Sequence, residues 1–184
     1  MKPYDKSVPM PAAPMKYLPD GQVDWGNMWE TFCAPAYDGG PPHRETMLCA
    51  DVPDNPENPA YQAIVKELIR GIYAVSGLVA QPATPGWIAV TCDSAEMAQW
   101  LCEFIQFENV QVNDKRKVLL VPVGESYTLK GEIKNVVTVI AKSTHYWRDH
   151  VPDAVKQTLM VQMKMMWLVE RFRNYFNRRM YVDN

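Results

Sequence analysis

Eleven of the 15 prolines fall within the first 59 of 184 residues, and this asymmetry limits the fold more than any other feature of the chain. Each proline fixes φ and removes a backbone donor, so residues 1–22 are barred from an ordinary helix or a central strand. They are expected to form an arm, whose Met10, Met15, Tyr17 and Leu18 are apolar enough to lie against a surface. Asp24 reads as an N-cap, with Trp25, Met28, Trp29 and Phe32 following on one face and Val23 placed to staple onto Met28. A short helix is therefore expected over 24–34. Next comes Asp38, Gly39, Gly40, Pro41, Pro42, His43 and Arg44, a rigid Gly-Gly-Pro-Pro loop. Residues 1–45 thus form a segment apart from the rest of the chain.

Beyond Pro59 only Pro82, Pro85, Pro122 and Pro152 remain, and regular structure becomes possible. Residues 46–52 read as a first strand, ended by Pro53. Asn58 and Pro59 supply a cap and an N1 proline, Gly77 supplies a stop, and Tyr61, Ile64, Val65, Leu68, Ile69, Ile72 and Val75 form one stripe between them. Leu78–Gln81 and Trp87–Cys92 are apolar runs around Pro82 to Gly86, the pattern of a hairpin. Asp93 with Glu96 resembles a capping box for a helix through Met97, Trp100, Leu101, Phe104 and Ile105. Val110–Val112 and Val118–Val123 read as strands about the polar turn Asn113 to Arg116.

The first six of these elements run βαββαβ, which predicts an α+β fold, a ferredoxin-like two-layer sandwich of helices on an antiparallel sheet. The alternative is an α/β fold with a mixed, partly parallel sheet, which applies if 78–81 is a loop. Past Gly131 the spacing of Ile133, Val136, Val137, Ile140, Thr144 and Trp147 predicts a helix over about 131–149. A last helix is expected over 153–178. Residues 46–184 read as a single α+β domain with these two helices added.

That last helix carries Val155, Leu159 and Met166 on one stripe and Val161, Met165, Leu168, Phe172 and Phe176 on another. Two apolar stripes need two partners. One is the domain's own core, and the other is expected to be a second subunit, for which unbranched methionines suit an adaptable surface. A homodimer through helix 153–178 and the N-terminal arm is the expectation.

With 47% apolar residues and a formal charge of −2, the chain has neither the basic excess of a nucleic-acid binder nor the charge of a membrane-surface protein. The start lacks the apolar run of a secretory signal, and no window approaches 18 uninterrupted apolar residues, so neither a signal peptide nor a membrane span is read and a cytoplasmic location is expected. Cys33, Cys49, Cys92 and Cys102 are far apart, without the local ligand pairs of a zinc site or a disulfide framework. No metal and no cofactor is read. A P-loop, a dinucleotide glycine fingerprint, a nucleophile elbow and His-Glu-x-x-His are all missing from the sequence.

Chemistry is therefore sought in small clusters. Gly39 and Gly40 let a backbone approach an anion, while His43 and Arg44 offer a titratable nitrogen and a planar cation. His145 and Asp149 are i, i+4 neighbours, the arrangement in which a carboxylate orients an imidazole, with Tyr146 as a flat apolar wall. Cys92 stands where a strand hands over to a helix N-terminus, which favours a thiolate, although Asp93 beside it opposes one. The basic and aromatic C-terminus has only three more basic than acidic residues from Asp153 onward, as dipole complementation alone would explain. The functional expectation is a small-ligand-binding or oligomeric protein, its ligand anionic or aromatic. The alternatives are a cofactor-independent enzyme using His145, Asp149 and Cys92, and a purely structural subunit.

Overall fold

The computed structural model describes residues 15–27 and 45–180, with side chains described up to Val169 apart from Trp167. Residues 1–14 of the arm, 28–34 of the expected short helix and Gly39, Gly40, His43 and Arg44 lie outside the described residues. The chain divides into two compact units, 1–149 and 150–184.

In the first unit, helix α1 (Pro59–Ser76) starts and stops where its signals stand. The Asn58 side chain accepts from the Ala60 N–H, and Gly77, at φ 68°, donates its N–H to the Tyr73 carbonyl. Strands β1 (Val79–Pro82) and β2 (Trp87–Thr91) form the expected antiparallel hairpin, with Val79 opposite Thr91 and Pro82 opposite Ile88. Gly86 turns it at φ 88°, and its N–H donates to the Tyr61 hydroxyl at 2.9 Å, pinning the turn to α1. Helix α2 (Ala95–Phe107) is next in the chain. Its cap is Ser94 rather than Asp93: the Ser94 hydroxyl accepts from Met97 N–H at 3.1 Å.

Strands β3 (Asn113–Lys115) and β4 (Val118–Pro122) complete an antiparallel sheet ordered β1-β2-β4-β3. Here the expected positions shift. Asn113 to Lys115, read as a turn, is the edge strand, and the chain reverses at Arg116, at φ 61°. Val110 and Val112 are buried ahead of it.

The larger departure concerns residues 46–52. They make two isolated parallel bridges, Leu48 to Val110 and Asp51 to Gly124, and are not a strand of the sheet. Leu48 exchanges bonds with Asn109 and Gln111, and Asp51 N–H reaches Val123 O, but Pro53 ends the run before a ladder can form. All named strand pairs are antiparallel, so the α+β class stands while the central strand of a split βαβ is lacking among the described residues.

Alternating residues Ile88, Val90, Leu119 and Val121 are buried, as expected for a sheet with one face on a core. Helix α1 packs on β1, α2 on β3 and β4, and both helices pack on α3 (Lys134–His145). Every residue of α3 from Lys134 to Thr144 is buried. A helix enclosed on all sides needs no amphipathic face, which is how the β-branched run Val136–Ile140 is accommodated. Single π-helical turns flank it, Leu129–Ile133 before and Tyr146–His150 after.

The described part of the N-terminal segment is docked. Trp25 is 1% exposed, and its indole N–H donates to Glu67 at 2.9 Å. Arg70 binds the same carboxylate and the Val23 carbonyl. Gly71 makes room for the ring, since a Cβ there would meet Val137 Cγ2 at 2.7 Å and Trp25 Nε1 at 3.1 Å.

The second unit contains helix α4 (Asp153–Met180).

Candidate functional site

The residues with chemical capacity gather where α3 gives way to its second π-helical turn. Such a turn takes in an extra residue and reorients the side chains beyond it. His145 Nδ1 lies 2.8 Å from Asp149 Oδ2, with the imidazole 18% and the carboxylate 60% exposed. A carboxylate there fixes the orientation of the ring by accepting a hydrogen bond from Nδ1–H.

An aromatic cluster adjoins this pair. Tyr146 lies 5.6 Å from Phe104 between ring centroids, Trp100 stacks on Phe104 at 5.1 Å, and Trp147 meets Trp100 at 5.9 Å. His145 contacts Tyr146 edge-on at 6.4 Å. Lys142, one turn before Tyr146, places its Nζ 5.5 Å from the Phe104 centroid and forms an ion pair with Glu108, their side chains 4% and 7% exposed. Neither Lys142 nor Glu108 is among the candidates that spacing and composition single out. The available signal is the lack of any charge between Asn135 and Ala141, which marks a helix buried all round. Thr144 Oγ1, two residues on, is buried without a hydrogen-bond partner among the described residues.

Arg148 ties the turn to the rest of the unit. One guanidinium nitrogen donates to the Ser76 carbonyl at the end of α1 at 2.7 Å, and another reaches Asp93 at 3.1 Å. Cys92 is 3% exposed. Burial first, and Asp93 second, push its thiol up to about 12, while Arg148 pulls weakly the other way. The helix-terminus effect that would make Cys92 a nucleophile is therefore outweighed, and the sulfur is held as a thiol.

His145, Asp149 and Tyr146 are thus neighbours, and Cys92 is a protonated core residue. His43, Arg44, Gly39 and Gly40 lie outside the described residues. Among the described residues no group of three or more His, Cys, Asp and Glu could hold a metal ion, and no helix is long and apolar enough to cross a membrane.

A second feature belongs to α4 alone. Val161, Met165, Leu168 and Val169 are 57%, 63%, 56% and 66% exposed, whereas Leu159, Met160 and Met163 are half-buried. Val155 and Met166, expected on the stripe that faces the domain's core, are exposed as well, at 44% and 56%. No family model matches this chain, and neither does any curated protein or solved structure.

Proposed function

We propose that this protein acts as a homodimeric assembly component whose two copies pair through α4. The observation that carries the reading is the exposed run Val161, Met165, Leu168 and Val169, each more than half open to solvent. The first three are spaced four and three apart, the repeat of a seam between two helices, and Phe172 and Tyr175 continue it in the sequence. A 28-residue helix is about 42 Å long, so two of them side by side offer an extended contact. A stripe that repeats on itself suits a second copy, because a two-fold axis brings the same patch of both subunits together. A cytoplasmic location accompanies this reading, supported by Cys49, Cys92 and Cys102 all being free thiols.

The test is a charge placed in the seam. Met165→Glu and Leu168→Glu, both at exposed positions, are expected to leave the far-ultraviolet circular dichroism unchanged and to halve the mass measured by light scattering after gel filtration. An unchanged mass in both variants would remove α4 from the interface.

A further inference from the structure

The solvent face of α2 combines aromatic rings with carboxylates, independently of α4. Trp100, Phe104 and Phe107 succeed one another at i, i+4 and i+7, and therefore lie along one side of the helix. Phe107 is 81% exposed, and Trp100 and Phe104 are half-buried. Glu96 stands one turn before Trp100 and Glu103, which accepts from Gln99, one turn before Phe107, so the first and last of the three rings each have a carboxylate one turn away. Tyr146, tilted against Phe104, adjoins His145, whose carboxylate partner is Asp149.

Among the described residues, Lys142 and Arg148 beside this cluster are already committed. Lys142 is paired with Glu108 inside the unit, and Arg148 holds Asp93 and the Ser76 carbonyl. The face is left aromatic and negative. Rings of this kind attract cations through their electron-rich faces, Arg more often than Lys, and adjacent carboxylates offer a planar guanidinium paired hydrogen bonds. Lys142 Nζ over the Phe104 ring shows this cluster already accepting one cation from within.

We infer that the α2 face centred on Trp100, Phe104 and Phe107 is a docking surface for an arginine-bearing peptide segment of a partner protein, with Glu96, Glu103 and Asp149 supplying the counter-charge. A segment suits it better than a single small cation. The ridge from Trp100 to Phe107 runs about 10 Å along the helix with carboxylates at successive turns, which matches side chains repeated along a peptide. Guanidinium groups lie flat on such rings while their edges reach the acids.

The test uses the full chain and a fluorescein-labelled decapeptide of alternating Arg and Gly, read by fluorescence anisotropy beside Lys-Gly and Glu-Gly peptides of the same length. The expectation is saturable binding of the Arg peptide, weaker binding of the Lys peptide and none of the Glu peptide. Phe107→Ser should weaken the Arg peptide about fivefold or more. Glu103→Gln should weaken it severalfold and reduce its salt dependence. Lack of saturable binding, or an affinity that Phe107→Ser leaves unchanged, would overturn the assignment. Two further outcomes would also overturn it, by giving the face another occupant: loss of self-association in Phe107→Ser, or adsorption to phosphatidylcholine vesicles that Phe107→Ser abolishes while the peptide does not bind.

Discussion

Lys142→Met is the most informative single substitution in the first unit. Methionine keeps the length and apolar stem of lysine while removing its charge, so the Glu108 carboxyl is left buried, its side chain 7% exposed, with its cation gone. Breaking a buried pair in this way costs about 3–5 kcal/mol, because the surviving charge keeps its desolvation penalty. The contact of Nζ with the Phe104 ring is lost as well. For a unit of this size each kcal/mol corresponds to about 2–4 °C, so Tm should fall by about 6–20 °C. Lys142→Met combined with Glu108→Leu should recover most of that loss, since apolar replacement of both partners is often neutral or stabilising. The assay is urea unfolding followed by circular dichroism on the native chain, both single variants and the double variant, giving a coupling energy from the cycle. A loss below about 1 kcal/mol for Lys142→Met, or a double variant no more stable than the single ones, would refute the assigned role of this pair.

Cys49 is exposed while Cys92 and Cys102 are buried with thiols pushed up to about 12, in both cases chiefly by burial; iodoacetamide should label Cys49 before Cys92 and Cys102, read by peptide mass spectrometry. Because the folded state keeps these protons while the unfolded chain releases them near the ordinary value of 9.0, their contribution to stability is complete below that pH. It declines as pH rises from there toward about 12; the urea midpoint should fall over this range, and less steeply in Cys92→Ala. Gly71→Ala should cost about 1–3 kcal/mol in thermal unfolding, because the new methyl group meets Val137 and the Trp25 ring. A neutral result would mean that Trp25 is not seated against α1.

Much of the fold is legible in the sequence where a local signal has no competitor. Asn58, Pro59 and Gly77 bound α1 because capping, ring closure and a left-handed stop are backbone chemistry that tertiary context does not alter. The cap of α2 moves from Asp93 to Ser94 because both are short acceptors, and Ser94 has the extended backbone, φ −143° and ψ 167°, that directs its hydroxyl at Met97 N–H. Asn113, Asp114 and Lys115 read as a turn by composition, yet all three are exposed on a sheet edge, where polar residues discourage further pairing. Residues 46–52 have strand composition but gain ladder bonds at only two points, a matter of long-range placement. In the candidate site, His145 and Asp149 are legible from their spacing even though the helix widens between them. Lys142 and Glu108 are not, since they meet across 34 residues of chain and no local pattern joins them.

We propose that the exposed stripe of α4 is covered by a second copy of the chain. Sedimentation equilibrium of the unmodified protein over a dilution series in the micromolar range tests it most directly. Twice the chain mass of 21.1 kDa is predicted at the upper concentrations, dissociating on dilution or in Leu168→Glu. A single species of 21.1 kDa across the whole series would contradict it.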